Sequence, residues 1–356
     1  MIETTRAVQP VPRYHLRSMA IPKWTKAALG AILFTGALAV AAWNISLPFY
    51  SFSAGPIGDV VDALLIEDAT VYPPNGELYM LTVALQEVNV YEMVAAATDP
   101  YVDLVARTAV RPEGQSDEDF REAGLTAMDE AKATAVAVAL DELGYKVALT
   151  GDGVEVAGLV EGTPAGSVLQ VGDVITAVNG VEVNLAPDLT NLLSSLNIGD
   201  RVSISLERAG STETVEVTLV EHTEQPGRPM VGFLATTRNL HTLAPPFDIE
   251  IDTSNIGGPS AGMMYTLAII DVLSEGDLTA GHVVAGTGTI SSDGSVGEIG
   301  GVRQKVVAAQ AAGAEFVLVP AGNYQEALTA KIDSIEIVPV ADLGQALAFL
   351  RQLPAA

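Results

Sequence analysis

Ser260 and Lys305 are the side chains in this sequence best placed for covalent chemistry. Ser260 stands in Gly257-Gly258-Pro259-Ser260-Ala261-Gly262, directly before the apolar run Met-Met-Tyr-Thr-Leu-Ala-Ile-Ile. Ahead of it Phe247, Ile249 and Ile251 alternate with Asp248, Glu250 and Asp252, the pattern of a half-buried strand, and two glycines with a proline break that strand before a helix. Ser260 is therefore predicted at a helix N-terminus. There the free backbone N–H groups, with Gly258 and Ala261 as the expected donors, and the positive end of the helix dipole could hold the oxyanion formed when a serine attacks a carbonyl. A serine that only caps the helix fits the same position.

Lys305 lies in Ile299-Gly-Gly-Val-Arg-Gln-Lys305-Val-Val-Ala-Ala. On a helical wheel Val302, Val306, Ala309 and Gly313 form one narrow stripe, and Lys305 falls between Ala309 and Ala312 at the edge of that packed face. One reading is a lysine whose stem covers small residues while its ammonium reaches water. The other, given Ser260, is a Ser-Lys dyad, because a lysine desolvated among alanines and valines can lose its proton and act as a base.

The elements that must hold these two residues carry a further pattern. Gly258-Pro-Ser-Ala-Gly262 after an acidic strand, Gly286-Thr287-Gly288-Thr289-Ile290, the Lys305 segment, and the following Ala312-Gly-Ala and Val319-Pro320 together resemble the proteolytic domain of the Lon family over roughly residues 229–350. The resemblance implies Ser260 as nucleophile, Lys305 as general base and Thr287 as the hydroxyl that orients the lysine. It departs from the family at two places: Gly257 stands where an acidic residue often precedes the serine by three, and Thr289 stands where a glutamate follows Thr-Gly.

The composition excludes several rivals. There is no cysteine, hence no disulfide, thiol nucleophile or thiolate metal site, and the four histidines form no clustered ligand set; no metal and no cofactor are expected. The formal charge of −26 argues against nucleic acid as a partner. Gly258-Pro-Ser-Ala-Gly262 also satisfies the elbow of the α/β-hydrolases, but the only later histidine, His282, follows too closely for that fold. No Gly-x-x-x-x-Gly-Lys-Ser/Thr loop occurs, which speaks against an ATP-driven protease.

Residues 27–43 are apolar except for Thr35, long enough to span a bilayer, with basic residues before and acidic ones after. The expectation is a single-pass anchor with a cytoplasmic N-terminus and an exported body, the rival being a signal peptide cleaved after Ala39-Val40-Ala41. Further on, Asp, Pro, Gly and Arg mark a loop over 98–118 and an Ala-rich helix follows over 117–143. Short strands then alternate with Gly172-Asp-Val-Ile-Thr-Ala-Val-Asn-Gly180, and this stretch resembles a PDZ domain. That resemblance implies capture of extended peptide C-termini. Leu143, Gly144 and Tyr145 match its carboxylate loop in position, with 146–149 as the receiving strand.

The expected fold is α/β (α+β): a Lon-type proteolytic domain with a small β-rich PDZ domain, preceded by one transmembrane helix. The expected divisions are a basic N-terminus at 1–26, the anchor at 27–50, an α/β region at 51–142 hypothesised to complete the protease core, the PDZ domain at 143–221, a linker at 222–228 and the Lon-like domain at 229–356. The expected function is an ATP-independent, membrane-anchored serine endopeptidase that cuts exported peptides or unfolded proteins, with further copies of itself in a homo-oligomer among the expected partners. The competing class is a non-catalytic, membrane-tethered PDZ adaptor.

Overall fold

The computed structural model of the chain describes residues 22–111, 116–160, 162–222, 227–253 and 256–356. The expected basic N-terminus up to residue 21 and residues 223–226 of the expected linker lie outside that description. In chain order the helices are α1 (Lys23–Asn44), α2 (Val90–Thr98), the single turn α3 (Arg107–Val110), α4 (Asp117–Glu142), α5 (Ala186–Ser194), α6 (Gly262–Leu273), α7 (Val302–Ala311), the short α8 (Tyr324–Leu328) and α9 (Leu343–Leu350).

The main sheet has six strands in the order Glu336–Val340, Phe316–Pro320, Val283–Gly286, Glu77–Glu87, Phe49–Asp59 and Asp103–Ala106. The first four run parallel and the last two are added antiparallel. Side chains alternate across it as the pleat requires. Leu78, Met80, Val284 and Leu318 face one core with α4, α6 and α9, while Leu81, Ala285, Val317 and Val319 face a second core with α7. Residues 49–106 thus share one sheet with residues 283–340, and the chain between them holds the PDZ domain.

That domain is an antiparallel sheet in the order Ser211–Thr218, Arg201–Arg208, Val174–Val178, Val154–Leu159 and Phe233–Thr237, closed by α5. Its inward side chains follow the period of two: Val202, Ile204 and Leu206 are fully buried. The last strand corrects the expected boundary at residue 229. Phe233–Thr237 pairs with Val154–Leu159, so the chain completes this sheet before it returns to the expected Lon-like domain.

The bounds of the expected anchor are also redrawn. α1 stops at Asn44, and Phe49 and Tyr50 already belong to the main sheet, Tyr50 being buried there. Pro48 separates the two, since a proline lacks the N–H that a continuing helix needs. α1 has 22 residues, no buried side chain, and the length and hydropathy of a candidate span. The acidic strand before the serine is Asp248–Ile251, which pairs outside the main sheet with Leu64–Glu67.

Candidate active site

Three elements meet at the C-terminal end of the strand Val283–Gly286, where ligands gather in open α/β sheets. α6 packs on one face of the sheet and brings Ser260 just before its first turn. α7 packs on the other face and brings Lys305. Thr287, directly after the strand, lies between them; its N–H continues the ladder to Leu318 O at 3.0 Å.

The loop carrying the serine is shaped by two glycines. Gly258 has φ of +92°, a region that side chains other than glycine rarely adopt, and its N–H donates to Gly124 O of α4 at 2.7 Å. A Cβ on Gly257 would stand 3.1 Å from the carbonyl carbon of Gly124, so the close passage over α4 leaves little room for the acidic side chain common in Lon relatives. The N-cap of α6 is Ala261, with no side-chain capping bond. The hydroxyl of Ser260 is therefore not spent on the helix, and the capping alternative drops out.

Lys305 Nζ donates to Ser260 Oγ at 2.8 Å and to Thr287 Oγ1 at 2.8 Å. Thr287 Oγ1 in turn donates to Ser260 O at 3.0 Å, and Gly288 N donates to the same carbonyl at 2.8 Å. The lysine is only 2% exposed, so its ammonium does not reach water as the snorkelling alternative required. Burial favours the neutral amine and brings its pKa down from 10.5 to about 7.

A cavity of about 260 Å³ opens over the pair, walled by Pro56, Leu81, Val83, Met128 and Ile256. Three of these walls come from the strands Phe49–Asp59 and Glu77–Glu87 and one from α4, which no local motif marks. The expected oxyanion donors divide. Gly258 does not offer its N–H, which is held by Gly124, whereas the Ala261 N–H meets no acceptor among the described residues. His282 is not at the site: its ring nitrogens lie 2.9 Å from Glu315 Oε2 and 3.0 Å from Pro354 O.

Residues 250–350 match the Lon protease (S16) C-terminal proteolytic domain, and residues 142–219 match the PDZ domain. The chain carries a PDZ domain and a Lon-type proteolytic domain. Lon protease 2 of Bacillus subtilis is 35% identical over 117 residues, which are 32% of this chain and 21% of that protein. An archaeal Lon protease of Methanothermobacter thermautotrophicus is 39% identical over 107 residues, 28% of this chain and 16% of that protein. The chain thus spans about a fifth or less of the length of these relatives. The crystal structure of the PDZ domain of an SdrC-like protein from Listeria monocytogenes is 28% identical and covers 24% of this chain and 90% of that one, with a TM-score of 0.23.

In the Lon-type domain Thr289, at the family's glutamate position, sits in the hairpin of Thr289–Ile290 with Val296–Gly297. In the PDZ domain the expected carboxylate loop is corrected. Leu143 is the C-cap of α4, Gly144 N donates to Asp141 O, Tyr145 N donates to Leu140 O, and the Tyr145 ring packs edge-on against Phe247. Those N–H groups finish a helix and are not available to a peptide. The expected receiving strand is Ala148–Thr150, paired with His241–Leu243 away from the PDZ sheet. A groove lies elsewhere, between α5 and the edge strand Phe233–Thr237, with a volume of about 470 Å³ and Leu189, Leu193, Val231 and Phe233 in its wall. The signal in the sequence is Val231-Gly232-Phe233, a glycine opening an alternating strand. The strand is fastened to the protease at its far end, where Thr237 N donates to Glu130 Oε1 of α4 at 2.6 Å.

Proposed function

We propose that this protein is an ATP-independent serine endopeptidase in which Ser260 is the nucleophile and Lys305 the general base. The observation that carries the reading is a buried lysine, with its pKa near neutrality, at 2.8 Å from the hydroxyl of a serine that opens a helix. Neutral Nζ takes the proton from Ser260 Oγ as the oxygen bonds to a peptide carbonyl carbon. The ammonium so formed gives that proton to the departing amine, leaving an acyl-enzyme that water hydrolyses by the same route. Thr287 orients the lysine, and the Ala261 N–H is the oxyanion donor supported by its freedom and its place at the helix start.

The apolar walls of the cavity support an apolar side chain on the acyl side of the cut bond. Peptides or unfolded proteins are the proposed substrates, with α5 and the edge strand Phe233–Thr237 adding a substrate C-terminus as an extra strand. α1 is the proposed anchor. The charge pattern around it supports a cytoplasmic N-terminus and an exported body.

The test combines a product and an adduct. Incubation with a denatured protein should release peptides identified by mass spectrometry, and a serine-directed phosphonate should stop the reaction and add its mass to the peptide containing Ser260. An adduct elsewhere, or no cleavage of any unfolded substrate, would leave the adaptor reading in its place. Thr287→Val keeps the shape and removes one hydrogen bond at the lysine and one at the Ser260 carbonyl. It should lower kcat by about 10–100-fold, the worth of one bond to a charged group, with little change in KM.

A further inference from the structure

We infer that α2 lies on the lipid surface and gives the catalytic body a second attachment to the bilayer beside α1; this rests on the membrane reading of α1 above. At 100° per residue Val90, Tyr91, Val94 and Ala97 fall within about one third of the circumference of α2. That arc is the exposed one: Val94 is 62% exposed and Tyr91 43%, whereas Ala96 on the other side is buried against the body. A surface helix of a soluble domain shows water its polar face, whereas here Thr98 is the one polar side chain within the outward arc.

The charges near this face are turned away from it. Glu92 reaches back to Asn89 N at 2.8 Å to complete a capping box, and Asp99 accepts from Tyr101 N at 2.9 Å. The face also continues an apolar surface that is already present. Trp43, at the end of α1, meets Tyr91 with ring centroids 5.9 Å apart, and Tyr91 Oη donates to Ala39 O at 3.1 Å. Tyr101, three residues after α2, is also exposed. An apolar span that ends in tryptophan and tyrosine, with a short apolar helix lying against that end, is the arrangement of a lipid interface. The occupant is lipid rather than a second chain because the face is continuous with a 22-residue apolar helix that has no buried side chain.

The placement reaches the active site. The segment after α2 is held by α7, where Arg303 Nη1 donates to Pro100 O at 2.8 Å, Arg303 pairs with Asp103, and Gln304 Nε2 donates to Asp103 Oδ2 at 2.6 Å. Lys305 is the next residue. The segment that follows the surface-bound helix is thus joined by direct bonds to the helix that carries the lysine.

The chain has no cysteine, so one introduced thiol is unique. Full-length Leu33→Cys, Val94→Cys and Leu328→Cys, all at exposed positions, would be labelled with an environment-sensitive fluorophore and reconstituted into phosphatidylcholine vesicles with or without doxyl-labelled lipid. The expected result is quenching at positions 33 and 94 and none at 328. Quenching at 33 but not at 94 overturns the inference and leaves the anchor intact. Quenching at neither overturns both. A label at 94 shielded from aqueous iodide yet untouched by doxyl lipid also overturns it, and assigns the face to a second copy of the chain.

Discussion

Replacing Lys305 with methionine should abolish peptide cleavage while leaving a protein at least as stable as the parent near neutral pH. The loss of activity follows from the loss of the base. The stability follows from what the lysine costs. Its pKa of about 7 in the folded protein lies well below 10.5, and at about 1.4 kcal/mol for each pH unit that gap amounts to several kcal/mol held against folding. Below pH about 7 both folded and unfolded chains carry the proton and the full penalty applies. Between about 7 and 10.5 the unfolded chain holds a proton that the folded one lacks, so stability rises with pH; above 10.5 the penalty is gone. The advantage of Lys305→Met in urea-unfolding midpoint should therefore be largest in mild acid and shrink in alkali. Activity runs in the same direction, since neutral amine is needed: kcat/KM should climb with an apparent pKa near 7 and keep that limb in His282→Gln. Lys305→Arg should be inactive, because guanidinium does not release its proton in this range. Cleavage by Lys305→Arg, or a limb that disappears with His282, would sink the mechanism.

Ser260→Ala should lower turnover on the order of a million-fold, to background, as removal of a nucleophile does elsewhere. The fold should not register the change. Ala261 caps α6 without help from the serine hydroxyl, and the Ser260 carbonyl, which receives Gly288 N and Thr287 Oγ1, is kept. One hydrogen bond to Lys305 is lost, worth about 1 kcal/mol net, and Thr287 still partners the amine. Circular dichroism melts should match the parent within a few degrees while mass spectrometry finds no new peptides. Peptides released by a purified Ser260→Ala sample would point to another nucleophile.

Much of the site can be read in the sequence because its parts are local patterns. A glycine pair and a proline before an unbroken apolar run mark the loop ahead of α6, and a lysine at the edge of a small-residue stripe marks α7. What escapes is whatever depends on approach across the fold. Gly124 looks like an ordinary glycine in an Ala-rich helix, yet its carbonyl holds Gly258 and its closeness leaves little room for a side chain at Gly257. Met128 and Pro56 wall the cavity from segments with no motif. The PDZ groove is misread for a related reason. Leu143-Gly144-Tyr145 has the composition of a carboxylate loop, but a glycine in the left-handed region after a long helix is equally a helix stop, and α4 already uses those N–H groups. Pairing decides between the two, and pairing of Phe233–Thr237 with Val154–Leu159 is invisible to periodicity.

The order of strands in the main sheet bears on when this protein becomes dangerous to its neighbours. Glu77–Glu87 lies beside Val283–Gly286, and between them in the chain comes the whole PDZ domain. Closing so long a loop is entropically slow, whereas the PDZ sheet is built from nearer contacts and can form while the rest is still being made. Most of the walls around Ser260 come from well before it in the chain, and its lysine from well after it. During synthesis the serine is therefore without its base until Lys305 and the last parallel strands arrive, and the growing chain stays unarmed until the sheet closes.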